Sequence, residues 1–108
     1  VGRILRMMGS VAPELMPMAR ARDLSNLAWA FATLDLRSGF DSLLLAIARE
    51  SVVQIGDFAE QNLSNTCWAF AKLGLRHDPL IRAIATETVR KLPQFSSQGL
   101  SNTLWGFA

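Results

Sequence analysis

The chain has 108 residues, half of them hydrophobic and 19% charged. That is enough for one domain and too apolar for a disordered polymer. The formal charge of +2, from 11 basic and 9 acidic side chains, does not by itself call for a nucleic-acid partner. Nine of the basic residues are Arg, however, and a guanidinium takes phosphate in a forked pair and stacks on bases. A lone Cys67 excludes an internal disulfide and a cysteine zinc site, which fits a reducing compartment. No run of 18 apolar residues is present, so no transmembrane helix is expected.

In chain order, the first element is a helix starting near Gly2 and cut short before Pro13, read as the second helix of a partial leading repeat spanning residues 1–21. A start at Val1 and a stop inside a recurring motif suggest a piece of a longer protein with further repeats on either side. Next comes LSNLAWAFA at residues 24–32, then LSNTCWAFA at 63–71 and LSNTLWGFA at 100–108. Leu24 to Leu63 is 39 residues and Leu63 to Leu100 is 37, a mean period of 38, which signals a stacked array. Leu24, Leu27 or Ala28, and Phe31 fall at i, i+3 or i+4, and i+7, and the same offsets recur at Leu63, Cys67 and Phe70, a helical apolar stripe.

A second helix follows in each unit, roughly Asp41 to Gln54 and Pro79 to Leu92. Asp78 is expected to cap the latter and Pro79 to occupy its first turn. The connecting loops read LDLRSGFDS and LGLRHDP. Gly74 suits a helix end, and Asp35 fills the same slot less comfortably. Arg20, Ala21 and Arg22 leave the first motif without a good cap, unless Asp23 caps a slightly later start. The expected architecture is an all-α solenoid of stacked antiparallel helix pairs, divided into 1–21, 22–60, 61–97 and 98–108.

The period, the LSNTLWGFA-type motif, the LGLR segment and the FSSQGL lead-in at Phe95 to Leu100 together resemble octotricopeptide repeats. They are similar also to the helical repeats of RAP-domain proteins, FAST-kinase-like proteins and subunits of mitochondrial RNA-editing complexes. The resemblance implies single-stranded RNA as partner and a mitochondrion or chloroplast as location. The role implied is RNA processing, editing, stability or translation, with protein subunits of an RNA-processing complex as further partners. No RAP domain is visible. No cofactor, metal, membrane or small-molecule substrate is expected, and no Gly-rich phosphate loop, metal spacing or nucleophile motif suggests an enzyme.

Candidate RNA-binding residues fall in three groups. Asn26, Asn65 and Asn102 carry donors and an acceptor able to read a base edge, although an Asn recurring in every unit also suits a structural bond between units. Thr66 and Thr103, which vary against Leu27, are candidate readers. Arg37, Arg76 and Lys72 are a candidate phosphate track, which requires that they share a face. Trp29, Trp68 and Trp105 could stack on bases, but with Phe31, Phe70 and Phe107 they are expected to form the core. Glu50, Glu87, Arg82, Arg90 and Lys91 are expected on helix surfaces. The rival reading is a protein-interaction scaffold of the α-solenoid type, and a third is an accessory module of an enzyme.

Overall fold

The computed structural model describes residues 19–107; the helix expected between Gly2 and Pro13 lies outside them. Five α-helices run in order: α1 Ala21–Thr33, α2 Asp41–Val53, α3 Glu60–Lys72, α4 Asp78–Arg90 and α5 Ser97–Phe107. Single 3-10 turns at Ile55–Asp57 and Leu92–Gln94 lead from α2 into α3 and from α4 into α5. Among the described residues there is no strand, and no helix is long and apolar enough to cross a membrane. The protein is all-α.

The helix ends follow from local chemistry. α1 stops where Asp35 takes φ +53°, and α3 stops where Gly74 takes φ +70°. After each, a leucine amide reaches back across the last turn: Leu36 N–H to Phe31 O at 2.9 Å and Leu75 N–H to Phe70 O at 3.0 Å. This left-handed closure satisfies carbonyls that the helix leaves free.

The starts depart in part from expectation. α1 begins before Asp23, whose carboxylate accepts from the Arg20 N–H at 3.1 Å. Asn62 does the same for the Ala59 N–H at 3.0 Å, and in α5 the Ser96 hydroxyl accepts from Gly99 N–H at 3.0 Å. At α4 the cap is His77 rather than Asp78: its Nδ1 accepts from Leu80 N–H at 3.2 Å. Asp78 sits one place later, in the first turn, and turns to Arg76 instead.

Side by side, α1, α3 and α5 form one layer with α3 in the middle, while α2 and α4 lie across them as a second. The core between the layers is built from Leu24, Ala28, Phe31, Leu43, Ile47, Phe58, Leu63, Phe70, Leu80 and Ile84. Full burial of a side chain such as Phe31 or Leu24 contributes roughly 1.5–3 kcal/mol. Within the first layer the backbones approach closely because small residues meet there. A Cβ on Gly106 would stand 2.4 Å from Cys67 Sγ and 2.9 Å from the Cys67 carbonyl oxygen.

Corresponding residues make corresponding bonds between units. Gln54 Nε2 donates to Ala19 O at 2.7 Å, and 37 residues further on Lys91 Nζ donates to Gly56 O at 2.9 Å and also to Phe58 O. Lys91 is therefore not a solvated surface charge. Glu87, expected on the surface, is buried instead and faces Lys91 Nζ at 3.4 Å.

Candidate nucleic-acid interface

Among the described residues, each first-layer helix has one side that no other helix covers. Residues at i, i+3 and i+7 share a helix face, so Asn26, Trp29 and Thr33 of α1 line up with Asn65, Trp68 and Lys72 of α3, and with Asn102 and Trp105 of α5. Asn26, Thr33 and Lys72 are exposed, and Asn65, Asn102 and Trp68 half-buried. Trp29 keeps 47% of its surface and Trp105 52%. The Trp68 and Trp105 rings lie 6.5 Å apart at 35° to one another, within the range of interacting aromatic pairs.

Trp29 and Trp105 therefore depart from the expected core role, while Trp68 is half-buried and packs against the core. The reason is angular: two residues advance a helix by about 200°, so Trp29 and Phe31 point to nearly opposite sides. Phe31 and Phe70 take the core, at 0% and 6% exposure, Trp29 and Trp105 take the open flank, and Trp68 lies between the two. Phe107, on the last helix, remains 36% exposed.

Thr66 and Thr103 move the other way. Both are fully buried, and Thr103 Oγ1 donates to Gly99 O at 2.9 Å, the local back-bond of a helical threonine. They are packing residues and present nothing to an external base. Asn62 is likewise turned inward, where its Nδ2 donates to Ser25 Oγ at 3.1 Å.

The expected phosphate track divides. Arg37 and Arg76 do meet, across a cleft they share with His77, Leu44 and Ala48. Each is already engaged: Arg37 Nη1 donates to Gly74 O at 3.5 Å and its Nε lies 3.7 Å from Asp41, while Arg76 Nε bonds Asp78 at 2.8 Å. That hydrogen bond, then the charge behind it, holds the Asp78 carboxyl below the usual carboxylate range. Lys72 does not line this cleft and belongs to the tryptophan face. Cys67 is buried, and burial pushes its thiol up to about 11, so it stays protonated at neutral pH and packs as a small hydrophobe.

A second, polar cleft of about 180 Å³ opens between α3 and α5. It is lined by Glu60, Gln61, Ser64, Asn65, Ser96, Gln98, Gly99 and Asn102. Every one is polar or glycine, so the cleft offers hydrogen bonds rather than apolar contact. Asn65 and Asn102, candidate base readers from the sequence, line it; that a cleft opens beside them depends on what is missing at Gly99. No family model, no curated protein and no solved structure matches the chain.

Proposed function

We propose that this protein is a single-stranded RNA-binding module of the α-solenoid type, with helix pairs repeating about every 38 residues. In keeping with its resemblance to octotricopeptide repeats, its place is among the RNA processing, editing, stability or translation factors of a mitochondrion or chloroplast. The observation that carries the reading is the uncovered flank of α1, α3 and α5, where an Asn and a Trp recur on each helix one turn apart. Aromatic faces stack on bases of any identity, and the amides beside them reach base edges.

Stacking, rather than charge, supplies most of the affinity. Lys72 and Arg22 are the exposed cations on the helices of this flank, whereas Arg37 and Arg76 face their own acids. With about two phosphates neutralised, the slope of log affinity against log salt for a single strand is roughly −1.4. The expected experiment is a fluorescence titration of the chain with single-stranded oligoribonucleotides at low salt. Trp29→Ala and Trp105→Ala each weaken binding about tenfold, at the low end of the 1–3 kcal/mol of a stacked base. Absence of binding, or affinity indifferent to both substitutions, overturns the reading.

The internal pairing of Arg37 with Asp41 and Arg76 with Asp78 favours a second reading, a protein-interaction scaffold, since it removes the free cations a phosphate track needs. In that case Trp29, Leu34 and Trp105, all about half exposed, are anchors for an apolar partner surface.

A further inference from the structure

We infer that the cleft between α3 and α5 is a pocket for one nucleobase, selective for bases that carry an exocyclic amino group; this rests on the RNA-binding reading. The argument compares two interfaces of the same kind. Between α1 and α3, Asn62 fills the space and its Nδ2 bonds Ser25 Oγ at 3.1 Å, while its Oδ1 holds Ala59 N–H at 3.0 Å. Between α3 and α5 the corresponding residues are Gly99 and Ser64. Ser64 Oγ donates to Gln61 O at 3.2 Å just as Ser25 Oγ donates to Arg22 O at 3.1 Å, so the interfaces differ in the amide alone: glycine has no side chain to close the gap or to donate to Ser64. What opens in its place is the polar cleft of about 180 Å³.

Its size and lining define the ligand. The volume is small against the pockets that take drug-sized molecules and suits one flat heterocycle. Gln61, Asn65, Gln98 and Asn102 supply amide donors and acceptors, and Ser64 a hydroxyl. Glu60, the one charged residue of the lining, is an acceptor only when ionised. A carboxylate accepts from an amino group of adenine, cytosine or guanine, whereas uracil has no amino group and offers a single ring N–H flanked by two carbonyl acceptors that face the carboxylate unfavourably. One helical turn beyond Asn65 and Asn102 stand Trp68 and Trp105. Those rings form a stacking surface beside the cleft, so one nucleotide is held in it while its neighbour stacks outside.

The decisive variant restores the closed arrangement. A Cβ at Gly99 meets the rotatable Ser96 hydroxyl at 3.2 Å and makes ordinary contacts with Phe95 Cδ2 at 3.7 Å and Ser64 Oγ at 3.8 Å, so Gly99→Asn is expected to fit and to reproduce the Asn62–Ser25 bond. Tryptophan fluorescence titrations of the chain with short oligoadenylate, oligocytidylate and oligouridylate compare wild type with Gly99→Asn, Glu60→Gln and Asn102→Ala. The wild type is expected to bind the A and C oligomers several-fold more tightly than U. Gly99→Asn should lose that preference while keeping its helix content and residual, base-indifferent binding. Glu60→Gln reduces the preference, and Asn102→Ala lowers affinity for all three oligomers without unfolding the chain. Equal wild-type affinity for the three oligomers, or a preference that survives both Gly99→Asn and Glu60→Gln, overturns the pocket and leaves the RNA-binding reading standing. Failure of every oligomer to bind overturns both.

Discussion

At Asp35 the chain adopts a backbone conformation that costs an L residue energy. Its φ of +53° is matched 39 residues later by Gly74 at +70°, and the two make the same closing bonds through Leu36 and Leu75. Left-handed backbone costs roughly 1–2 kcal/mol for most residues and less for Asp and Asn. Asp35→Gly is therefore expected to raise stability by about 0.5 kcal/mol, because relief of strain outweighs the entropy a glycine adds to the unfolded chain. Urea denaturation with an unchanged slope checks this, and a loss of stability refutes it. This turn was legible in the sequence, since LDLR and LGLR put the two residues at one position. The tryptophans were not. The motif places Trp29 about 200° from Phe31, but which flank of a helix its neighbours cover is decided by packing between units. Asp78 was misassigned as a cap for a more local reason: His77 also carries an acceptor, and Arg76 competes for the Asp78 carboxylate at 2.8 Å.

Between elements, the governing quantity is how near two helices of the first layer can come. Cys67 in α3 corresponds to Ala28 in α1, and Gly106 in α5 corresponds to Ala69 in α3. The larger side chain of one helix thus meets the smaller on the next. Cys67 Sγ also donates to Thr103 O at 3.4 Å. Gly106→Ala sets a methyl against both Sγ at 2.4 Å and the Cys67 carbonyl at 2.9 Å. Overpacking of this kind costs typically 1–3 kcal/mol, and that cost should outweigh the gain of about 1 kcal/mol from replacing a helical glycine. Adding Cys67→Ala recovers part of the loss, because it removes the sulfur and leaves the carbonyl. A double-mutant cycle by thermal or urea unfolding measures the coupling; strict additivity shows that the two helices do not meet as described. Helix boundaries were readable to within two residues from periodicity and loop residues. The buried faces of Thr66 and Thr103 were not, since a variable polar residue reads alike on a surface and at a helix interface, where Thr103 bonds a backbone carbonyl and the Thr66 hydroxyl has no partner among the described residues.

For the molecule as a whole, the bonds that join one helix pair to the next decide whether it unfolds as one body or unit by unit. In the proposed solenoid, units are held by repeated neighbour contacts, and cooperativity rests on the interfaces. Lys91 sits at such a junction: from the end of α4 it reaches the carbonyls of Gly56 and Phe58 that lead into α3, and it pairs with buried Glu87. Gln54 occupies the same place one unit earlier, with Ala19 O as its acceptor. Removing one partner of a buried ion pair costs about 3–5 kcal/mol when the other charge is stranded. Glu87 keeps a second cation, Arg90 at 3.6 Å, which brings Lys91→Met to the lower end, about 3 kcal/mol. In a chain this small that is a large share of the total stability. Glu87→Gln in the same background removes the stranded charge and should return much of the loss. Native-state hydrogen exchange distinguishes a local from a whole-molecule role. If Lys91 couples the units, the amides of α3 and α4 both lose protection in Lys91→Met while Gln54→Ala weakens the α1–α2 side more. If α4 alone loses protection, the contact is local and the units are held together by their apolar faces.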